Sequence, residues 1–279
     1  MPRFRRLGPE AARAKAAAGD LVTEADLSME AVLAEGARAV LPGAAVVAEE
    51  AVAAEPGLRA AVGAEFAVIV DPLDGTWNFT HGVAVFGVIL AVARWGEPVW
   101  GLLYDPLLDD WVVARRAGGA WFGRPGEDLV RLRVAPQAPP EAMTGFVPLF
   151  LFPPDRRRAV ADAMLAFGRA TSLRCACHEH RLLAQGRVHF VVGAGLEPWD
   201  HAAGALAVRE AGGCAELLDG RAYACQPASG LCSWRTRAWA WRRCGRGSGR
   251  RWRETAPRPC RRTMLAGRWQ GPSYTRRPG

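Results

Sequence analysis

Four short acid-rich segments lie between residues 20 and 220. These segments are DLVTEAD (20–26), AEE (48–50), DPLD (71–74) and EPWD (197–200). Two of them directly follow apolar runs that are typical of strands, so their acidic side chains can meet in one cleft. Converging anions repel each other unless cations neutralise them. The pattern therefore predicts a metal site built from the ends of several elements.

The donor types in these segments indicate which ion binds. Oxygen ligands without His or Cys favour Mg²⁺, with Mn²⁺ as a substitute. Mg²⁺ is usually held by a few carboxylates, waters and the oxygens of a phosphorylated substrate, so we expect a small phosphorylated metabolite as the partner. In GTWN, Gly75 permits close backbone approach and the following amides can face an anion. The alternative for DPLDGT alone is an Asx-rich turn that closes a strand.

Four segments resemble the motifs of the inositol monophosphatase family. DPLDGTWNFTHG is similar to its DP-(I/L)-DGT-x-NF-x-HG motif, and PWDHAAGALAVREAGG is similar to its WD-x-AAG motif followed by EAGG. DLVTEAD resembles the DLVT-x-x-D segment, and VVAEEAV stands in the place of GEE. The four occur in the family's order with comparable separations, over roughly residues 20–220. The chain is therefore identified as a member of this family.

The resemblance implies a five-layer α/β/α/β/α sandwich that hydrolyses a phosphate monoester with two or three Mg²⁺ ions. The substrate it implies is inositol monophosphate, which yields inositol and phosphate. By position, Glu49, Asp71 and the backbone carbonyl of Leu73 would bind the first metal. Asp71, Asp74 and Asp200 would bind the second. Family members are commonly homodimers, which implies the same for this chain.

The resemblance also implies roles in catalysis and substrate binding. Asp26 would pair with Thr76, whose hydroxyl orients the attacking water, and Glu49 would be the third catalytic residue. The residues implied to contact the substrate and its phosphate are Asp74, Gly75, Thr76 and Ala176. Taken singly, Asp26 could be a surface helix residue and Asp200 only a helix N-cap.

Two departures from the family concern the alcohol part of the substrate. A Glu that contacts inositol hydroxyls is replaced by Gly193, and the segment G-(S/T)-A-A is replaced by Arg174, Cys175, Ala176 and Cys177. Arg174 could bind a second anionic group or face solvent. Histidinol phosphate, fructose 1,6-bisphosphate and adenosine 3′,5′-bisphosphate therefore stay open as substrates. The run CACHEH (175–180) also offers soft ligands, although its spacing is too tight for a usual zinc site.

Apolar periodicity over residues 20–220 predicts a mixed α/β domain. The first helix is expected to bury Leu27, Val32, Leu33 and Val40 on one side, and Gly212 is a candidate C-cap for the last. Helices are predicted at 25–39, 154–167, 179–185 and 200–211, and strands at 45–48, 66–70, 83–93, 99–104, 111–114 and 188–192. Because only 19 residues precede DLVT, where the family has a helix of roughly twice that length, we expect that this helix is shortened or that its start was misassigned.

The C-terminal part differs in composition from the rest. Residues 221–279 contain 15 Arg and one Glu, so a chain of net charge +8 has a remainder of about −6. This part has no period of 2 or 3.6 and holds five of the eleven Trp and four of the seven Cys. We therefore predict a catalytic domain over 1–223 and an atypical tail over 224–279, disordered or translated out of frame. An alternative is an inactive homologue whose basic tail binds nucleic acid, which is otherwise not an expected partner.

The remaining composition indicates an ordinary globular protein. The odd number of cysteines, without framework spacing, argues against a secreted disulfide-bonded protein. No run of about 18 uncharged apolar residues is present, and the basic N-terminus is not followed by an apolar segment. The sequence therefore predicts a cytoplasmic protein that does not bind membranes.

Overall fold

The computed structural model describes residues 4–6, 12–14, 21–218, 221–225, 232–235, 240–243 and 252–255. Within them the α-helices are α1 (Glu24–Val40), α2 (Glu49–Ala54), α3 (Thr76–Thr80), α4 (Pro154–Met164), α5 (Ala176–Ala184) and α6 (Pro198–Glu210). Short 3₁₀ helices lie at Pro56–Gly63, Pro140–Ala142 and Leu149–Leu151.

The strands are numbered in chain order. They are β1 (Ala12–Ala14), β2 (Leu21–Thr23), β3 (Ala45–Ala48), β4 (Ala67–Asp74), β5 (Gly87–Arg94), β6 (Glu97–Asp105), β7 (Asp110–Arg115), β8 (Gly119–Gly123), β9 (Val130–Arg131), β10 (Thr144–Phe146), β11 (Arg169–Thr171), β12 (Phe190–Gly193), β13 (Cys214–Leu217), β14 (Cys232–Arg235), β15 (Ala240–Arg243) and β16 (Trp252–Thr255).

The larger sheet has seven strands in sequential order from β3 to β9. β3 and β4 are parallel, whereas every later neighbouring pair is antiparallel. Burial alternates along β6 and β7, as expected of strands with two different faces. Since parallel strands end at the same edge of a sheet, the residues after β3 and the last residues of β4 lie side by side.

The smaller sheet has the order β11-β10-β12-β14-β13. β10 is parallel to both β11 and β12, and β14 is antiparallel to both of its neighbours. The sequence predicts no folded element after Tyr223, yet β14 lies inside this sheet and β15 pairs with β16. Strand pairing uses backbone groups, so a segment without apolar alternation can still join a sheet. Cys225 is also buried in the core, and its amide donates to the carbonyl oxygen of Gly96 at 2.9 Å. Apart from these strands and residues 224–225, the predicted 224–279 tail lies outside the described residues.

Helices cover both sheets. α6 contacts β4 to β8 of the larger sheet and also β13 and β14 of the smaller one, while α5 packs on α6. On the other side of the larger sheet, α1 contacts β3 and β4. α4 packs Val160 and Met164 near Phe190 of β12. The predicted mixed α/β class is therefore confirmed.

The predicted buried face of α1 is wrong, and the helix expected before DLVT falls mostly on residues that the structure does not describe. Leu27, Val32 and Val40 are exposed, because the buried face of α1 carries Ala25, Asp26, Glu30 and Ala34, beside which Leu33 is partly buried. This face follows the helical period but includes two carboxylates, which an apolar pattern does not reveal. Before DLVT, residues 12–14 form β1, which pairs with β2, and most of the segment in which a shortened helix is expected lies outside the described residues.

Most element positions agree with the periodicity. α5 begins at Ala176, three residues before the predicted start, and β5 begins at Gly87 rather than at residue 83. Gly212 follows α6 with a φ of +93°, which suits the predicted glycine cap. Among the described residues, no helix is both long and apolar enough to cross a membrane.

Candidate active site

The end of β4 carries Asp71 and Asp74, two of the predicted metal ligands. In a regular strand, residues three apart point to opposite faces. The pairing of β4 with β5 shifts register between Asp71 and Asp74, since Asp71 lies opposite Ile89 and Asp74 opposite Gly87. Three steps along β4 thus match two along β5, which is a β-bulge. The extra residue lets both carboxylates face one spot.

Asp200 joins these two carboxylates from the first turn of α6. One carboxylate oxygen of each of Asp71, Asp74 and Asp200 lies within 4.8 Å of the other two. The donor set contains only oxygen, which fits Mg²⁺. In the part of the chain that the structure describes, no other group of His, Cys, Asp or Glu meets this criterion. The carboxylates that the sequence predicts to bind the second metal are therefore together.

The electrostatics of Asp71 agree with a cation site. Burial raises the pKa of Asp71 well above its ordinary value, and the charges of Glu49, Asp74 and Asp200 raise it further. A divalent cation would offset this repulsion. Glu49 is the first residue of α2 and directly follows Ala48, which lies opposite Val70 in the β3–β4 pairing. Glu49 therefore stands beside Asp71 because the two strands are parallel.

Glu30 of α1 positions the start of α2 and was missed by the sequence analysis. Its two carboxylate oxygens accept hydrogen bonds from the amides of Glu50 (2.8 Å) and Ala51 (2.9 Å). Amides of a first helical turn lack acceptors within the helix, so a buried carboxylate there caps it. An acidic residue four positions after Asp26, on the same helix face, was the signal available in the sequence.

Asp26 and Thr76 are brought together, as the family resemblance implies. The Thr76 hydroxyl lies 3.2 Å from Asp26 Oδ1 and 3.0 Å from the carbonyl oxygen of Leu73. Asp26 Oδ2 accepts hydrogen bonds from the backbone amide and the hydroxyl of Thr23, which is the N-cap of α1. Burial raises the pKa of Asp26, although these hydrogen bonds lower it. Helix capping thus orients the carboxylate toward Thr76.

Gly75 occupies a position that only glycine fits well. Its φ is +87°, in the left-handed region, and an added Cβ would lie 3.0 Å from the carbonyl oxygen of Val85. The residue is the N-cap of α3, so Thr76 begins that helix. The backbone at Gly75 and Thr76 can therefore approach a ligand closely.

Asp74 has contacts that the sequence did not predict. Its Oδ2 accepts a hydrogen bond from the amide of Cys177 (2.5 Å) and lies 3.0 Å from Cys175 Sγ. The amide of Ala176 also stabilises the carboxylate, while burial raises the pKa of Asp74. Ala176 is thus placed beside Asp74 at the start of α5. These contacts bind α5 to the acidic site.

The soft ligands of CACHEH do not meet at one point. Cys175 contacts Asp74, whereas Cys177 Sγ faces the carbonyl of Tyr104 at 3.7 Å. His178 Nε2 lies 3.0 Å from the carbonyl oxygen of Phe86, and His180 Nδ1 lies 2.7 Å from that of Ala176. The alternative of a zinc site is therefore not supported, because α5 sends these side chains in different directions.

Glu197, the acid near the replaced family glutamate, forms an ion pair with Arg59. Arg59 also donates to the carbonyl oxygen of Leu196 at 3.2 Å. Gly193 ends β12 and supplies no side chain. The structure therefore brings together the predicted metal and phosphate residues, but shows no replacement for an inositol-binding glutamate at these positions.

Comparisons with known proteins agree with this site. The model of the inositol monophosphatase family matches residues 3–252. An inositol-1-monophosphatase from Mesorhizobium japonicum is 32% identical over 215 residues, which cover 72% of this chain and 74% of that protein. A histidinol-phosphatase from Chlorobaculum parvum is 31% identical over 205 residues, which cover 72% of this chain and 73% of that protein.

A solved structure has the same fold. The IMPase of Thermotoga maritima gives a TM-score of 0.69 at 27% identity, covering 84% of this chain and 85% of the other. The family model extends past Tyr223, the predicted end of the catalytic domain, to residue 252. From the family match, the identities and the acidic site, the chain belongs to the inositol monophosphatase family.

Proposed function

We propose that this protein hydrolyses a phosphate monoester in a Mg²⁺-dependent reaction, with inositol monophosphate as the substrate. The observation that carries the proposal is the convergence of Asp71, Asp74 and Asp200 within 4.8 Å. Glu49 stands close enough to raise the pKa of Asp71 by its charge. Divalent cations bound there would lower the pKa of a water and neutralise charge on the phosphoryl group.

Thr76 and Asp26 orient the attacking water. The Thr76 hydroxyl has one proton and two neighbouring acceptors, Asp26 Oδ1 and the Leu73 carbonyl oxygen. When the proton is donated to Asp26, the lone pairs of the hydroxyl oxygen can accept a hydrogen bond from water. The water is then held with its own lone pair directed at phosphorus. No side chain has to form a covalent intermediate.

The phosphate is held by backbone at the start of α3. Gly75 is the N-cap and Thr76 the first residue of this helix, and amides at a helix start lack acceptors within the helix. The missing Cβ of Gly75 allows phosphate oxygens to approach these amides. Asp74 is anchored by the amide of Cys177 and fixes the distance between β4 and α5. The phosphate site is therefore preorganised by backbone geometry.

The test is phosphate release from inositol 1-phosphate as a function of Mg²⁺ concentration. We expect Asp200→Asn to lower kcat/KM by about 100-fold or more, since cation stabilisation contributes several kcal/mol. The control is Asp162→Asn, because Asp162 is exposed and, among the described residues, forms a surface ion pair with Arg158. Calorimetric Mg²⁺ binding should weaken in the Asp200 variant alone. Absence of Mg²⁺-dependent release from several phosphomonoesters by folded protein would refute the proposal.

Histidinol phosphate is the second candidate substrate. A relative with 31% identity is named a histidinol-phosphatase, and Gly193 lacks the carboxylate that the family resemblance associates with inositol. A panel of inositol 1-phosphate, histidinol phosphate, fructose 1,6-bisphosphate and adenosine 3′,5′-bisphosphate separates the candidates. The substrate with the highest kcat/KM identifies the alcohol, and a higher value for histidinol phosphate would replace inositol phosphate in the proposal.

A further inference from the structure

Arg174 is held between two aromatic rings near the acidic site. Its guanidinium carbon lies 4.2 Å from the ring centroid of Trp77 and 4.4 Å from that of Phe150. Trp77 directly follows Thr76 on α3. Two flat rings around a flat cation restrict its rotation, so the orientation of this guanidinium is set by the fold.

Hydrogen bonds fix the backbone that carries Arg174. The Asn78 amide group donates to the carbonyl oxygen of Leu173 at 2.8 Å. Glu179 accepts from the Leu173 amide at 2.7 Å and from the Ser172 hydroxyl at 3.0 Å, and this hydroxyl accepts from the Arg174 amide at 3.0 Å. Arg174 has a φ of +55°, which is unfavourable for a residue with a Cβ. The loop thus presents the arginine in an imposed conformation.

The backbone around Phe150, the second aromatic partner of Arg174, is also held by hydrogen bonds. Arg157 of α4 donates to the carbonyl oxygens of Phe150 (2.6 Å) and Phe152 (2.9 Å). Phe150 lies in the 3₁₀ helix Leu149–Leu151 and keeps part of its ring exposed. The ring pair is therefore built from two different parts of the chain around one arginine.

The Arg174 guanidinium has no anionic partner among the described residues. No ion pair recorded between them includes Arg174, and its Nε is buried without a hydrogen-bond partner there. Burial lowers the pKa of Arg174 below its ordinary value. A partly desolvated cation gains more from an incoming anion than a fully hydrated one does.

Arg174 is connected to the reaction site through its neighbours. Cys175, the next residue, lies with its Sγ 3.0 Å from Asp74 Oδ2, and an added Cβ on Gly75 would lie 3.4 Å from Cys175 Cβ. Trp77 is separated from Gly75 only by Thr76. The stacked guanidinium therefore belongs to a residue whose chain neighbour contacts the acidic site, and one of its two rings lies on the helix that begins at Thr76.

We propose that Arg174 is a specificity-determining residue that binds a second phosphate when the substrate carries one, so that small bisphosphorylated metabolites bind this site more tightly than inositol monophosphate does. This inference rests on the proposed phosphatase function. One phosphate would be hydrolysed at the acidic site while the other pairs with the guanidinium fork. A monophosphate lacks this second contact.

The experiment compares fructose 1,6-bisphosphate with inositol 1-phosphate in the wild type, Arg174→Gln and Arg174→Lys. Arg169→Gln is the matched control, since Arg169 is exposed on the strand that precedes the loop. We expect KM for the bisphosphate to rise about 10- to 100-fold in the Gln variant, as for loss of a charge-assisted hydrogen bond. The Lys variant should be intermediate, because it keeps the charge and loses the flat fork. KM for inositol 1-phosphate should change less than about threefold.

Equal changes for both substrates, or no change for either, would overturn the inference and assign Arg174 a structural role. If neither compound is hydrolysed, both serve as unreacted ligands in calorimetry with Mg²⁺, and the phosphatase proposal is judged separately on the full panel of phosphomonoesters. Tighter binding of the bisphosphate by the wild type, lost in Arg174→Gln, would still support the inference. Equal binding of both ligands by the wild type would refute it, even if the variants do not fold.

Discussion

Gly204→Ala tests the packing between the two helices that meet at the active site. Alanine is the better helix former, so this change in a helix interior would ordinarily stabilise the protein. Gly204, however, lies on the buried face of α6 against α5. An added Cβ would lie 2.3 Å from His180 Cγ and 2.4 Å from its Cδ2. His180 is fully buried, so its ring cannot move into solvent.

The expected cost follows from two opposing effects. An extra methyl group in a packed core costs roughly 1–3 kcal/mol, and the distances to the His180 ring place this case at the upper end. The gain in helix propensity is about 1 kcal/mol. The net loss is therefore about 2 kcal/mol, or a decrease in Tm of about 4–8 °C for a chain of this size.

Thermal unfolding and Mg²⁺ calorimetry measure the two consequences. Separating α5 from α6 should also move Asp200 away from Asp74, so the variant should bind Mg²⁺ more weakly. Gly36→Ala is the matched control, because an added Cβ on this exposed residue of α1 has no neighbour within 4 Å. We expect that control to gain up to about 1 kcal/mol.

A double change strengthens the test. His180→Ala should reduce the destabilisation caused by Gly204→Ala, because the clashing ring is removed and neighbouring changes are not additive. The reasoning is refuted if Gly204→Ala unfolds at or above the temperature of the Gly36 control.

Three further changes examine the site and its supports. Thr76→Val should lower kcat by about 100-fold or more through loss of the orienting hydroxyl, whereas Thr76→Ser should retain most of it; equal phosphate release by both variants would contradict the role. Glu30→Ala should free the start of α2 and displace Glu49, lowering Mg²⁺ affinity in calorimetry about tenfold, while exposed Glu35→Ala should leave it unchanged. Burial raises the pKa of Glu179 to about 7 from its ordinary 4.5, so the folded chain binds more protons and its stability falls as pH rises through this window. Glu179→Gln has no titrating carboxyl at this position, so its stability should not show this pH dependence. The difference in free energy of unfolding between the wild type and the variant, measured in urea, should therefore change between pH 5 and pH 8. The same difference at both pH values would contradict the raised pKa of Glu179.

Spacing along the sequence predicts much of the acidic site. An apolar run followed by DPLD places two carboxylates at a strand end, and the structure gathers them with Asp200. The β-bulge that turns both to one side is a feature of strand pairing, which is not visible in β4 alone. The cap that Glu30 provides and the contact of Cys177 with Asp74 join distant segments, so no local pattern indicates them.

Predictions from apolar periodicity fail where polar side chains are buried at the active site rather than apolar side chains in the core. α1 buries Asp26 and Glu30 because its face is directed at the active site, while Leu27 and Val32 stay exposed. β14 joins the smaller sheet although its segment lacks alternation, since backbone hydrogen bonds are available to almost any sequence.

By itself, the sequence determined the family, the mixed α/β class and the set of oxygen donors, because the order of the motifs and the types of their residues are properties of the sequence alone. The tertiary structure alone decided that Asp74 is anchored to α5 and that Arg174 is stacked between Trp77 and Phe150. Both depend on contacts between residues about 25 to 100 positions apart in the chain. Such contacts form only when the folded backbone brings separate elements together, so they cannot be predicted from local propensity and spacing.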